Sequence, residues 1–194
     1  MTQAIRRTDA ALLSRARRGE RQAHAELYEA FAPVVYTLAR RMLASATLAE
    51  DVLQETFVEV LRKIDGYRGE AELVVWIKRI AVNKCLMHLR SGWAARRDAM
   101  PDTETLAGPA RGDGVDGEIA LEAALARLPD TARIVVWLHD VEGYTHKEIG
   151  HLMHRTPSFS KSQLARAHEL LRGLLHDQAD QTETRPCPGI RKTC

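Results

Sequence analysis

Aromatic residues are scarce, at 5% of 194 residues, and Gly and Pro are gathered in a few places, a profile of helices rather than sheets. Cysteine is scarcer still: Cys85, Cys187 and Cys194 form no disulfide framework. Cys85 falls within a helical pattern as a buried thiol, and the other two lie in a polar tail. No apolar run approaches membrane-spanning length, and the opening MTQAIRRTDA has no signal-peptide core. The expectation is a cytoplasmic protein in a reducing compartment, with no membrane partner. There is no Gly-rich phosphate loop and no nucleophile–base arrangement, so the chain does not read as an enzyme and no cofactor is implied.

Neither sign of charge dominates: the net charge is +2, too small to name a partner. Its distribution says more. Residues 1–99 hold 17 Lys/Arg against 12 Asp/Glu, a net +5, whereas residues 100–118 hold one Arg against five acids. A basic first part followed by an acidic connector is compatible with nucleic-acid contact in the first part.

The apolar spacing predicts helices throughout. Over 9–45 it predicts one or two, through Leu12, Leu13, Ala16, Ala23, Leu27, Phe31, Val35, Leu38 and Leu43, with Pro33 as a helix start. A clear helix is expected over 48–64, with Leu53, Phe57, Val60, Leu61 and Ile64 on one stripe and Asp51, Glu55, Glu59 and Arg62 opposite. Residues 66–72 read as a loop. A helix then runs from about Leu73 to Arg90, closed by Gly92, with Leu73, Trp76, Ile77, Ile80 and Met87 on its apolar face and Arg79, Asn83, Leu86 and Arg90 beside it. Residues 94–118, rich in Gly, Pro and acids, read as a flexible linker. Two short helices split at Leu128-Pro129-Asp130 follow. The tail 177–194 is polar and expected to be mobile.

Residues 145–172 have the layout of a helix-turn-helix. Thr145 and Glu148 make a capping box, Ile149, Leu152 and Met153 an apolar face, and Thr156-Pro157 a second helix start. On the wheel set by Leu164 and Leu171 the opposite side carries Phe159, Ser162 and Arg166, flanked by Lys161 and Gln163. Arg pairs with guanine edges, and Lys, Ser and Gln hold phosphates or bases. An ordinary antiparallel helix pair with a solvated face is the other reading of this stretch alone. His146, His151 and His154 are close in sequence, but no acid or Cys completes a ligand set, so no metal is expected.

Read together, the two halves resemble the extracytoplasmic-function sigma factors of bacterial RNA polymerase. The segment Ala49 to Glu59 is similar to their polymerase-binding helix. Tyr67-Arg68-Gly69-Glu70 with Trp76-Ile77 and Arg79 to Asn83 resembles their promoter-melting segment. Leu128-Pro129, Arg133, Glu142-Gly143-Tyr144, Glu148-Ile149 and Lys161 to Ala167 resemble their upstream-promoter reader. The resemblance covers roughly residues 9–175. It implies an all-α protein of two small helical domains, with a region-two-like domain over 9–93, the linker over 94–118, a region-four-like helix-turn-helix domain over 119–176 and a disordered tail over 177–194.

The resemblance also implies roles. Asp51, Gln54 and Glu55 would face the coiled coil of the polymerase's largest subunit, an acidic face meeting a basic surface; read alone, the face could be merely solvated. Tyr67, Arg68, Glu70 and Ala71 would capture a flipped base of the melted strand. Asn83 would read the minus-ten element, with Arg79 and Arg90 holding phosphates or serving only solubility. Phe159, Lys161, Ser162, Gln163 and Arg166 would contact the minus-thirty-five element. Trp76 suits core packing better than base stacking. Thr56 falls on the polymerase-facing helix. The implied partners are RNA polymerase core, promoter DNA and an anti-sigma factor. A helix-turn-helix regulator acting without core polymerase is the alternative. The chain departs from the family pattern at Leu73-Val74-Val75, more apolar than the usual loop exit, at Gly150 where Ala is usual, at His154 where Gly is common, and at Phe159-Ser160, which sets a hydroxyl on the inner helix face.

Overall fold

The computed structural model describes residues 10–99 and 123–183, with side-chain surroundings for 10–91 and 123–175, and all regular elements among them are helical. The first half holds α1 (Ala10–Arg17), α2 (Arg21–Leu43), α3 (Ala46–Lys63), a 3-10 turn (Ile64–Gly66) and α4 (Leu73–Ala99). The second half opens on a helical turn at 123–126. It continues with α5 (Asp130–Val136), a π-helical turn (Trp137–Val141), α6 (His146–Met153) and α7 (Pro157–Glu183).

In the first half α2, α3 and α4 pack on one another. Leu27, Phe31, Val35, Leu38 and Met42 recur at helical spacing along α2 and are fully buried, as are Val52 of α3 and Ile77 and Leu86 of α4. Each such side chain contributes about 1.5–3 kcal/mol on burial. Pro33 lies inside α2 rather than at a helix start. It sits on the exposed face, as does Glu29 four residues earlier, so the carbonyl left without its N–H partner can turn to water while the opposite face holds the core.

The stripe of α3 is rotated from the expected one. Ala49, Val52, Thr56 and Val60 are fully buried, Phe57 and Ile64 nearly so, and Leu53 is only half-buried. A helix held between two neighbours buries a broader face than a single stripe suggests. Thr56 is therefore interior, not on the outer face of α3, and its hydroxyl finds no partner.

In α4 the buried stripe centres on Ala81 and Cys85, and Met87, expected on it, is 54% exposed. The helix does not close at Gly92 but runs to Ala99, since one Gly costs only about 1 kcal/mol among good helix formers. Residues 94–99 of the expected linker are thus helical, and 100–118 lie outside the described residues. Likewise α7 continues through Gly173 and past its expected end near Leu175, no further Gly or Pro following before Glu183; the rest of the tail, with Cys187 and Cys194, lies outside the described residues.

The two halves meet at α5. Arg133 is 2% exposed yet fully engaged: Nε donates to Met42 O of α2 at 3.1 Å, and the remaining nitrogens donate to Leu128 O at 3.2 Å and to Asp130 Oδ1 at 2.7 Å. A buried guanidinium is tolerated only when so satisfied. Nearby, Arg41 of α2 lies over the Trp137 ring, 5.0 Å from its centroid.

Candidate functional site

The outer face of α3 carries Asp51 and Gln54, both exposed. Glu55 is held from within: Lys84 Nζ lies 3.3 Å and His88 Nε2 3.1 Å from its two carboxylate oxygens. The expected trio therefore divides into two free acceptor groups and one carboxylate already shared with α4. Lys84 and His88, missed in the sequence, are its partners, Lys84 as an ion pair and His88 through a ring nitrogen.

Between the 3-10 turn and α4 lies a cavity of about 250 Å³. Tyr67, Arg68, Glu70 and Ala71, expected at a base-capturing site, line it; Arg79, expected instead to hold a phosphate, joins them, with Gly66, Val75 and Trp76 completing the wall. The loop is shaped by its own contacts. Tyr67 Oη donates to Ala71 O at 2.5 Å, the Tyr67 and Trp76 rings lie tilted 5.3 Å apart, and Gly69 takes the left-handed φ of +76° that a side chain would strain. Trp76 packs against the core, as expected, and also presents an aromatic surface to the cavity. Polar groups, an aromatic wall and two Arg side chains suit a planar, hydrogen-bonding ligand attached to an anionic chain.

Beyond the cavity α4 presents Arg79 and Asn83, both exposed, and Arg90, half-buried. The second half leans on this face. Lys78 Nζ donates to both carboxylate oxygens of Glu142, at 2.8 and 3.1 Å, and Arg90 donates to Leu152 O of α6. Arg79 lies beside Tyr144 and favours its ionised form, yet burial pushes the Tyr144 hydroxyl above its ordinary range. None of these pairings has a sequence signal, because each depends on how two separate cores meet.

The helix-turn-helix forms as the sequence predicts. Thr145 Oγ1 accepts from Glu148 N at 3.3 Å, and Thr145 N and Oγ1 donate to Glu148 Oε2 at 2.8 and 2.7 Å; the last two bonds hold the Glu148 carboxyl below its usual range. Phe159 N donates to Thr156 Oγ1 at 3.2 Å, capping α7. His154 takes the left-handed turn position at φ 54°. Gly150 is forced: a Cβ there would stand 2.8 Å from Arg155 O. Along α7, Lys161, Ser162 and Arg166 are exposed and Gln163 half-buried, opposite the buried Leu164, Ala167 and Leu171. Phe159 is not a free outward contact but half-buried against the core, with Arg155 stacked 5.5 Å from its ring centroid. Ser160, fully buried, has His146 Nδ1 as partner at 3.1 Å.

Histidines meet in a way that sequence distance hid. His139 and His146 stack with ring centroids 4.4 Å apart, and Asp140 bridges His139 at 2.8 Å and His168 at 2.6 Å. Burial would raise the Asp140 carboxyl, but the hydrogen bonds from His168 and His139 bring it below its usual range. Among the described residues no group of three or more His, Cys, Asp or Glu could hold a metal ion. Burial pushes the Cys85 thiol up to about 12, so it is not a reactive nucleophile. No helix among the described residues is long and apolar enough to cross a membrane.

Two family models match the chain: sigma-70 region 2 over residues 27–95 and sigma-70 region 4 over residues 118–171. The chain is 33% identical over 167 residues to the RNA polymerase sigma factor CarQ of Myxococcus xanthus, covering 84% of this chain and 95% of that protein. It is 31% identical to the ECF RNA polymerase sigma factor SigM of Mycobacterium tuberculosis, covering 87% and 85% of the two. Among solved structures it resembles the sigma factor RpoE of Bartonella quintana, in complex with the anti-sigma factor NepR, with a TM-score of 0.52 and 21% identity over 78% of this chain and 96% of that one. CnrH, in complex with the cytosolic domain of CnrY, gives a TM-score of 0.52 and 23% identity over 86% and 96% of the two chains. At these identities the structural likeness concerns the fold.

Proposed function

The chain belongs to the sigma-70 family of RNA polymerase sigma factors, which direct the polymerase in promoter recognition and transcription initiation, and from that premise we propose how its parts divide the work. The regulator that acts without core polymerase is set aside, since both halves match sigma regions in order.

The first half docks on core through Asp51 and Gln54, which offer acceptors to a basic surface, with Glu55 contributing what Lys84 and His88 leave free. The α7 face of Lys161, Ser162, Gln163 and Arg166 enters the major groove at the minus-thirty-five element; Phe159 supports this face from beneath Arg155. The cavity beside Tyr67 takes one base of the melted minus-ten element, offsetting the cost of unstacking it. Asn83 reads a neighbouring edge, and Arg79 and Arg90 hold phosphates. For Arg90 that last role requires the two halves to part on core, because it donates to Leu152 O of the second half, while Arg79 lies beside Tyr144. The linker from residue 94 onward spans the two.

The observation that carries this reading is the cavity, where Tyr67, Arg68, Glu70, Ala71 and Arg79 converge on one concave surface. The protein acts in the cytoplasm as a non-enzymatic factor without a cofactor. An anti-sigma factor is its further partner, a reading supported by RpoE and CnrH, two structural neighbours captured with another protein. The test is run-off transcription with purified bacterial core polymerase on a promoter library. Specific transcripts should appear only with the protein and weaken with Tyr67→Ala or Arg166→Ala. No core binding and no new start sites would overturn the assignment.

A further inference from the structure

We propose that Arg17 of α1 is a positioning residue for the cavity: it fixes the loop that receives the melted base and thereby sharpens which base is accepted. The inference rests on reading that cavity as base-capturing. Arg17 precedes residue 27, where the match to sigma-70 region 2 begins, so the family match assigns it nothing.

An eight-residue helix has little stability of its own, and α1 is instead tied to α2. Arg15 Nε donates to Glu20 Oε2 at 2.8 Å, and its two terminal nitrogens donate to the Glu26 carboxylate at 3.2 Å each. His24 Nε2 lies 2.9 Å from Ala16 O, and Ala16 is buried. These ties fix the backbone from which Arg17 projects.

From there the guanidinium reaches the backbone of the 3-10 turn and of the cavity-lining residue Tyr67. Its Nε donates to Ile64 O at 3.3 Å and its Nη2 donates to Tyr67 O. The two carbonyls bracket Gly66, a lining residue, at the point where the 3-10 turn gives way to the loop. A backbone bond from Tyr67 N to Ile64 O, at 3.3 Å, closes the same turn, so Ile64 O accepts from both Arg17 and Tyr67. Tyr67 in turn carries the ring that faces Trp76 and the hydroxyl that holds Ala71 O. Arg17 thus anchors the residue on which the cavity's shape depends. A planar fork can serve two separate carbonyls at once, which a single ammonium does less well. The competing role, an exposed cation that holds a DNA phosphate, requires only charge and predicts that Lys would replace Arg.

The experiment uses full-length protein assembled with bacterial core polymerase. Binding is measured to single-stranded minus-ten oligonucleotides of the non-template strand, with each of the four bases at the captured position. Arg17→Ala should reduce the preference between best and worst base by about tenfold, the loss of one to two hydrogen bonds that hold the loop. Core affinity and binding to the upstream duplex should stay as in the parent. Arg17→Lys should recover only a small part of the preference. An unchanged preference in Arg17→Ala overturns the proposal, as does an equal loss for all four bases or full recovery by Lys. Tyr67→Ala and Glu70→Ala separate the two layers. If they abolish the preference while Arg17→Ala does not, only the role of Arg17 fails. If neither changes it, the base-capturing reading fails and the proposal falls with it.

Discussion

Lys78 of α4 and Glu142 of the second half form a two-point ion pair across the junction, with Nζ 2.8 and 3.1 Å from the two carboxylate oxygens. The Glu142 side chain is 8% exposed and that of Lys78 30%, so the pair is only partly screened by water. Glu142→Lys would set two ammonium groups against each other and should weaken the contact by about 1–3 kcal/mol. The expected outcome is a larger radius of gyration by small-angle scattering. Protein free of core should also bind a minus-ten single strand more tightly, because Arg90 is released. An unchanged radius and affinity would show that the pair does not hold the halves together.

Asp51 and Glu55 sit one helical turn apart on α3 but should behave differently. Asp51 is exposed, and Asp51→Arg should weaken core binding by about 1–3 kcal/mol without lowering Tm, as expected for a charge that meets a partner only in the complex. Glu55→Gln removes the partner of both Lys84 and His88 and should also lower Tm, by a few degrees at most given the half-exposed pairs. Core titration by fluorescence anisotropy, with thermal melts of the free protein, distinguishes the two. Loss of Tm in Asp51→Arg would count against the division.

What was legible in the sequence followed from local rules. The capping box at Thr145 and Glu148 and the Thr156 cap rest on side chains within a few residues of one another and formed as expected, and the loop expected over 66–72 starts one residue later, after the 3-10 turn that ends at Gly66. Helix ends were less legible. Gly92 reads as a stop only if nothing beyond it favours helix, and the Ala and Arg that follow do. Two buried stripes, of α3 and α4, are shifted at Leu53 and Met87 while Phe57, Val60, Ile64, Leu73 and Ile77 are buried as expected, because a helix between two neighbours is buried over more than one stripe. At the candidate site the lining residues were legible from the resemblance, but Arg17, Lys78 and Lys84 were not. Their partners lie 47, 64 and 29 residues away in the chain, at Ile64, Glu142 and Glu55.

Gly150 illustrates a local departure with a structural cause. A Cβ at this position would meet Arg155 O at 2.8 Å and Pro157 N at 3.2 Å, both backbone atoms that cannot rotate away. Gly150→Ala gains helix propensity but must push α6 off the turn, and the second term is larger. The second half should lose about 1–3 kcal/mol. A lower Tm for that half with weaker minus-thirty-five binding is the expected result; a rise in Tm would show that the turn yields at little cost.

His146 gives the second half a dependence on acidity. Burial lowers its pKa from the ordinary 6.5, and the neighbouring His139 and Lys161 act in the same direction, with Asp140 opposing. The folded state therefore prefers neutral His146, and the unfolded chain binds more protons between the folded value and 6.5. Stability is fully present above that window and declines as pH falls through it. Ser160, buried and paired with His146 Nδ1, ties the loss to the seating of α7, since protonation leaves that nitrogen able only to donate. Asp140 works in the same direction but at lower pH, its depressed carboxyl holding stability until acid protonates it. Thermal melts of the full chain from neutral to mildly acidic pH should show a falling transition for the second half. In His146→Gln, which keeps a polar group near Ser160 but does not titrate, the fall through this window should be smaller. An equal fall in the variant would assign the acid sensitivity to another group.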